Sequence, residues 1–245
     1  MTALVLSAIA TPATAQNGSG HGAPPFEVGE GLQYSVSYGF VPAGTMEVRV
    51  AGIERVADRP AYHFVMDARS NRAVSTLYEI AAHEESWFDV AHHRSLRYER
   101  RNMENDKSRS KSIRFDPASR TATVTERGET ATETTSPDAV DQLAFLYYVR
   151  LLDLRPGARF VLNNQVDPAE NPIVIRVLKK ERVRVPAGSF DAFVLDLDVT
   201  TDSGFFKEGG ENRIWVSTDA RRLVLKMSSK VGIGSFQAEL VERTD

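Results

Sequence analysis

Residues 136–157 read SPDAVDQLAFLYYVRLLDLRPG and carry the strongest helix signal in the chain. Ser136 can cap a helix, and Pro137 fits the first helical position because that position needs no backbone N–H donor. The Pro-Gly pair at residues 156–157 stops the helix. The pattern predicts a helix over residues 137–153, in a chain that otherwise has the character of β-strands.

The predicted helix is apolar around nearly its whole circumference. At 100° per residue its polar side chains fall on one narrow stripe, formed by Gln142, Arg150 and Asp153. A helix with so little polar surface must be covered on more than one side, and the simplest cover in a β-rich chain is a strongly curved sheet. Asp141 falls on the apolar side. It is either buried with a partner from the sheet or, as we favour, an exposed charge near the positive helix end.

Period-two alternation of apolar and polar residues marks the strands. In residues 32–40 the apolar side chains Leu32, Tyr34 and Val36 alternate with polar ones, which predicts a strand with one buried face. Strands are predicted over residues 32–40, 46–50, 61–68, 78–90, 95–103, 108–115, 122–126, 158–163, 173–183, 189–200, 211–217, 222–228 and 234–241. We therefore predict a mainly β protein: a single domain over residues 26–245, with a curved antiparallel sheet or half-open barrel and the helix on its concave face.

Composition excludes several classes of function. The 245 residues have a formal net charge of −3, which argues against a nucleic-acid-binding protein. The chain has no cysteine, so disulfides, cysteine-ligated zinc and thiol catalysis are excluded.

The N-terminal residues resemble a secretory signal. An apolar run from Ala3 to Ala10 precedes the motif Ala13-Thr14-Ala15, which has the A-x-A form of a cleavage site. The run is too short to cross a bilayer, which takes about 20 residues. We expect a signal peptide over residues 1–15, a flexible lead-in over residues 16–25, no transmembrane segment in the mature chain and a periplasmic location.

Carboxylate pairs offer no convincing catalytic centre. Glu84 and Glu85 are neighbours on a strand and point to opposite faces, so they cannot act together. Asp196 and Asp198 share a face, but we favour a solvated sheet surface as the explanation of this pair. No nucleophile elbow, phosphate loop or dinucleotide motif is present. We expect a protein that is not an enzyme and that has no cofactor.

Three residues have the types required for a metal site. His83 and Glu85 share one strand face and could bind a metal if His63 faced them. Histidines that lie at the protein surface without a ligand explain the same residues, and we expect no metal site.

Lys107, Arg109 and Lys111 alternate along one strand and therefore project from the same face. One interpretation is a surface for an anionic partner, such as a lipid phosphate or an acidic glycan. The other, which we favour, is an exposed hairpin that lysine and arginine protect from edge pairing.

Several segments together resemble the bacterial exported proteins of the family called domain of unknown function 3108. The segments are Phe26-Glu27-Val28-Gly29-Glu30, Ala43-Gly44, residues 141–150 (DQLAFLYYVR), Pro156-Gly157, residues 185–190 (VPAGSF) and residues 214–219 (IWVSTD). The family usually has serine at the position of Ala144. The resemblance implies a periplasmic protein without an assigned enzyme activity, and an architecture similar to the half-open barrels of periplasmic lipoprotein carriers.

These expectations lead to a ligand hypothesis. Separation of the helix from the sheet would expose an apolar groove lined by Tyr34, Tyr38, Phe145, Tyr147 and Tyr148. We expect a non-enzymatic carrier of a lipid or other apolar ligand, with Tyr148 buried against the sheet. The alternative is an interaction module with a filled interior that docks on an envelope protein. A cell-wall hydrolase would require clustered carboxylates in a cleft.

Overall fold

The computed structural model describes residues 23–76, 79–105, 107–163, 171–200, 205–231 and 234–244. Two helices, α1 (Arg72–Ser75) and α2 (Gln142–Leu151), accompany the strands. The strands are β1 (Gly31–Tyr38), β2 (Val41–Val56), β3 (Arg59–Ser70), β4 (Ile80–Asp89), β5 (Ser95–Glu104), β6 (Lys107–Asp116), β7 (Thr121–Glu126), β8 (Glu129–Thr134), β9 (Arg159–Leu162), β10 (Ile173–Val185), β11 (Gly188–Asp198), β12 (Glu211–Ser217), β13 (Val224–Val231) and β14 (Gly234–Thr244).

All of these strands belong to one antiparallel sheet. Its order is β8-β7-β6-β5-β4-β3-β2-β1-β14-β13-β12-β11-β10-β9, so strands that pair are consecutive in sequence everywhere except at the centre. There β1 pairs with β14, from Gly31 opposite Thr244 to Tyr38 opposite Phe236. The two ends of the domain thus meet in the middle of the sheet, while β8 and β9 remain unpaired edges. The mainly β fold predicted from the sequence is confirmed, as an open sheet.

Two strands differ from the sequence-based prediction for a physical reason. β8 was not predicted because Glu129–Thr134 reads ETATET and is exposed throughout, so it lacks the apolar alternation that signals a half-buried strand. β2 runs from Val41 to Val56, beyond the predicted residues 46–50. The added length was not predicted because most of it is exposed and shows no apolar alternation. The predicted start of a strand at residue 78 lies outside the described residues.

One face of the sheet carries the hydrophobic core, and α2 lies on that face. A single cluster of buried side chains joins α2 to both halves of the sheet, from Val124 on β7 to Ile173 on β10. Strands as far apart in the sheet as β7 and β10 can contact one helix only if the sheet bends around it. The helix-bearing face is therefore the concave face, as the apolar circumference of α2 predicted.

Helix α2 begins five residues later than the predicted start at Pro137. Asp141 is the N-cap: its Oδ1 accepts hydrogen bonds from the backbone N–H groups of Leu143 (3.0 Å) and Ala144 (2.9 Å). Ser136 caps only a turn, in which its hydroxyl oxygen accepts a hydrogen bond from the N–H of Asp138 (3.2 Å). The prediction of Ser136 as the cap was wrong because a second, better-supported cap follows it.

Arg150 was placed on a polar stripe by its helical position, but it is buried. Its guanidinium donates to both carboxylate oxygens of Glu30, at 2.6 and 3.0 Å. It also donates to the carbonyl oxygens of Pro25 (2.7 Å) and Arg221 (2.9 Å). Arg150 thus fastens α2 to the segment that leads into β1 and to the turn before β13. Residues 1–22, which include the predicted signal and most of the lead-in, lie outside the described residues.

Candidate functional site

The middle of the concave face is filled by aromatic side chains. Tyr147 of α2 stacks on Phe64 of β3, with ring centroids 3.7 Å apart and planes 8° from parallel. Phe26 contacts both rings edge-on, at 5.2 Å from Tyr147 and 5.6 Å from Phe64. Such close stacking leaves no space between this part of the helix and the sheet.

The five tyrosine and phenylalanine residues predicted to line a groove do not lie together on one open surface. Tyr34, Phe145 and Tyr147 are buried in the core, and the Tyr34 hydroxyl donates to the carbonyl oxygen of Val224 at 2.8 Å. The prediction that Tyr148 is buried against the sheet was wrong: Tyr148 is half-buried, and the deepest aromatic residue of the helix is Tyr147. Tyr38 is 47% exposed at the end of β1.

A different part of the concave face is apolar and only partly covered. Its side chains lie on the same side of their strands as Phe64. We call it the apolar strip, and it consists of Val36, Tyr38, Met46, Met66, Ala68 and Phe236. Tyr38 and Phe236 contact each other with ring centroids 4.9 Å apart, yet 47% and 48% of their surfaces remain exposed.

The predicted basic residues lie on this same concave face. Tyr98 of β5 contacts α2 through Gln142, and Tyr98 pairs with Ile113 of β6. Since alternate residues of a strand share a face, Lys111, Arg109 and Lys107 follow Ile113 on the side that bears α2. Arg100 follows Tyr98 in the same way and lies opposite Lys111. These four residues, Arg100, Lys107, Arg109 and Lys111, form the basic strip.

A groove of about 650 Å³ crosses β1–β6 on the opposite, convex face. Its charged lining residues, such as Asp67, Arg69 and Arg101, alternate along the strands with residues of the concave face. These charges are largely engaged with neighbours: Asp67 accepts from His83 (2.7 Å), and Arg101 pairs with Glu99 (3.7 Å). The convex groove is therefore polar and unsuited to an apolar ligand.

A chain of carboxylates and imidazoles borders the convex groove. The Nε2 atoms of His63 and His83 lie 2.8 and 3.3 Å from the two carboxylate oxygens of Glu85. The Nδ1 atoms of the same histidines lie 3.0 Å from Glu54 and 2.7 Å from Asp67. His63, His83 and Glu85 thus do face one another, as a metal site would require. Within the residues that the structure describes, however, no group of three or more such side chains could hold a metal ion.

Two carboxylates, Asp141 and Glu84, are buried beneath the start of α2, so the favoured prediction that Asp141 is exposed was wrong. Burial raises the pKa of Asp141, against the hydrogen bonds from Ala144, Ser95, Ser86 and Leu143 that favour its charged form. Burial also raises the pKa of Glu84, whose carboxylate accepts from Gln142 at 2.8 Å. Both groups lie under the helix and not in a cleft, so their hydrogen bonds position the helix. Asp196 and Asp198 pair with Arg176 at 3.4 and 3.2 Å on the surface.

Comparison with protein families identifies the chain. The family model described as "Protein of unknown function (DUF3108)" matches residues 33–241. The chain belongs to the DUF3108 family. No curated protein matches the sequence of this DUF3108 protein.

Several solved structures match this DUF3108 protein at low sequence identity. A beta-barrel-like protein of domain of unknown function DUF1849 from Brucella abortus has 10% identity and a TM-score of 0.53, over 89% of this chain and 97% of its own. A candidate lipoprotein from Parabacteroides distasonis has 8% identity and a TM-score of 0.38, over 90% and 96%. A candidate exported protein with a YmcC-like fold from Bacteroides fragilis has 11% identity and a TM-score of 0.33, over 91% and 98%. The first of these supports the beta-barrel-like fold.

Sequence reasoning missed the residues of the apolar strip other than Tyr38. Met46, Met66 and Ala68 carried a usable signal, because each falls on the apolar side of an alternating strand. Their partial exposure depends on where α2 stops, which periodicity does not report. Within the described residues, no helix is both long enough and apolar enough to cross a membrane.

Proposed function

We propose that this DUF3108 protein is an exported, periplasmic and non-enzymatic binding or carrier protein for a lipid or another apolar ligand. The apolar strip carries the proposal, since it leaves two aromatic rings and two methionines partly exposed on a concave surface. Exposed apolar surface that is concave is typical of ligand sites. The signal-like segment over residues 1–15 supports export.

The composition of the strip suits a flexible apolar chain. Met46 and Met66 have unbranched side chains that adapt to irregular ligands. Ala68 on β3 and Ala82 on β4 are paired in register, and both project only a methyl group into the concave face. The two alanines form a shallow trough beside the methionines, in which a ligand gains contact without displacing a large side chain.

A matched pair of variants on β4 tests this location. Ala81 and Ala82 are adjacent and half-buried, and both border the convex groove, but alternation directs the Ala82 methyl group to the concave side and the Ala81 methyl group to the convex side. Ala82→Phe should fill the trough and reduce binding of a fluorescent fatty acid by about tenfold or more, on the order of the effect of blocking a hydrophobic pocket. Ala81→Phe should leave binding unchanged.

Native mass spectrometry separates the carrier function from the interaction module. Native mass spectrometry of the gently purified protein should show bound lipid, and lipid should be lost from the Ala82→Phe variant while both variants keep the circular dichroism of the parent. Loss of binding in Ala81→Phe alone would move the site to the convex groove and contradict the proposal.

The second candidate is an interaction module that docks on an envelope protein. The filled space between Tyr147 and Phe64 favours it, because that part of the interior has no room for a ligand. A lipid-free protein that binds one envelope partner with the same affinity in both alanine variants would support the module over the carrier.

A further inference from the structure

Pairing within the sheet joins the apolar strip to the basic strip along one line of residues. Tyr34 lies opposite Met46, Met46 opposite Ala68, and Ala68 opposite Ala82. The line continues from Ala82 to Asn102 and from Asn102 to Arg109. Five steps of about 4.8 Å between neighbouring strands place Arg109 about 24 Å from Tyr34, measured along the curved sheet. One concave surface thus changes from apolar to cationic across the width of six strands.

The four cations of the basic strip do not each have a carboxylate of their own. Arg100 and Lys111 share one carboxylate, that of Glu126, at 4.0 and 3.5 Å. Lys107 lies opposite Glu104 across the β5–β6 pair. Arg109 lies opposite Asn102, which is uncharged, and it forms no ion pair with another described residue. The strip therefore keeps positive charge available on the concave face.

Two more acidic residues lie on this part of the concave face: Glu129, which is opposite Glu126 on the edge strand β8, and Glu84. Glu84 lies opposite Arg100 on β4, but its carboxylate is buried against α2 and accepts from Gln142. Burial raises the pKa of Glu84. Its carboxylate is therefore held by the helix, whereas Lys107 and Arg109 are exposed.

Charge complementarity decides which apolar ligand fits this surface. We propose that the ligand is an anionic lipid, with its acyl chain on the apolar strip and its phosphate head group against Arg109, Lys107 and Lys111. This inference rests on the proposed carrier function and adds the chemical class of the ligand. It also explains why the cations lie on β6. Protection against edge pairing requires cations on the outermost strand only, and β6 is two strands from the edge.

The experiment offers the mature protein an equimolar mixture of phosphatidylglycerol and phosphatidylethanolamine with identical acyl chains. Native mass spectrometry then measures the ratio of the two bound lipids. The parent protein should prefer phosphatidylglycerol, and the preference should fall as salt is raised because the cations are partly exposed. Each neutralised cation should reduce the preference on the order of fivefold.

Two triple variants with the same change in charge provide the comparison. Lys107→Gln, Arg109→Gln and Lys111→Gln together should abolish the preference while phosphatidylethanolamine still binds. Arg69→Gln, Arg101→Gln and Arg114→Gln remove three exposed cations from the convex face and should leave the preference intact. Circular dichroism and the urea midpoint of each variant report whether it remains folded.

The outcomes separate the inference from the function on which it rests. Equal binding of both lipids by the parent protein would overturn the anionic ligand and leave the carrier function standing. Loss of the preference in the convex variant alone would also overturn it. If the parent protein bound neither lipid, nor the fluorescent fatty acid, both the inference and the proposed carrier function would fail.

Discussion

Arg150 and Glu30 form a bidentate ion pair in the core, 120 residues apart in the chain. Both side chains are 1% exposed, and their shortest contact is 2.6 Å. Two carbonyl oxygens accept further hydrogen bonds from the same guanidinium, so most of its donors are satisfied. This pair ties α2, the helix that borders the apolar strip, to the segment before β1.

Replacement of Arg150 by methionine should lower the free energy of unfolding by about 3–5 kcal/mol, because the buried Glu30 would keep only Arg243, 3.5 Å away, as a counter-ion. The double variant Arg150→Met with Glu30→Leu should be more stable than the single variant, since no buried charge is left. Urea unfolding measures both. Arg155→Gln is the control, as its side chain is 76% exposed; a single variant no less stable than that control would contradict the role of the pair.

Asp141 should be the residue on which the start of α2 depends. Asp141→Ala removes the cap and the acceptor of the Ser86 (2.7 Å) and Ser95 (2.5 Å) hydroxyls, which should cost about 2–4 kcal/mol. Asp138→Ala, in the preceding turn, should change stability by less than about 0.5 kcal/mol because Asp138 is exposed. Thermal unfolding followed by circular dichroism compares the two; equal losses would mean that Asp141 is not the effective cap.

Neighbouring tyrosines of α2 should respond differently to truncation. Tyr147→Ala should cost about 3–5 kcal/mol, since it empties the stack on Phe64. Tyr148→Ala should cost about 1–2 kcal/mol, because that ring is only half-buried. Urea midpoints at unchanged slope give the comparison, and a larger loss for Tyr148 would contradict the observed packing.

The Tyr147 hydroxyl gives a sharper version of this test. It is buried without a hydrogen-bond partner among the described residues. Tyr147→Phe removes an unsatisfied polar group and keeps the stacked ring, so it should leave stability unchanged or raise it by about 1 kcal/mol. A clear loss of stability would indicate that the hydroxyl does have a partner.

The histidine–carboxylate chain on the convex face should make stability depend on pH. Hydrogen bonding to Asp67 raises the pKa of His83 above its usual 6.5. Burial alone would raise the pKa of Glu85, but the hydrogen bonds from His63 and His83 lower it below 4.5. Arg49, 3.9 Å from Asp67, and Arg101, opposite His83, also face this group.

The signs of the pKa shifts of His83 and Glu85 define a pH range in which both groups stabilise the fold. The contribution of His83 is fully present below pH 6.5 and is lost as the pH rises through its higher folded pKa. The contribution of Glu85 is present above pH 4.5 and is lost as the pH falls through its lower folded pKa. His83→Gln should therefore destabilise most between about pH 4.5 and 6.5 and least near pH 9. Urea midpoints across this range test it; a loss independent of pH would contradict the linkage.

Local sequence patterns predicted most of the fold. The alternation around Tyr34, the turn residues between strands and the apolar circumference of residues 142–151 each depend on neighbours within one element. A helix without a polar face requires cover, so the curved sheet followed from the helix alone. β8 escaped prediction because a strand of exposed Thr and Glu has no such local signature.

The site was predicted only in part, because its parts come from distant segments. That Lys107, Arg109 and Lys111 share a face follows from alternation, but that the face is concave follows from the pairing of Ile113 with Tyr98 and the contact of Tyr98 with Gln142. Likewise the cap at Asp141 depends on serines 46 and 55 residues earlier.

The sequence by itself determined which residues share a strand face, where strands turn and that one helix must be enclosed, since these properties arise from the geometry of a few consecutive residues. Only the tertiary structure decided that Arg150 is paired inside the core, that Tyr147 rather than Tyr148 fills the space above Phe64, and that the cations adjoin the apolar strip. Each of those outcomes depends on strand register and on the position of α2. Contacts between residues far apart in the chain set both, and no local period encodes them.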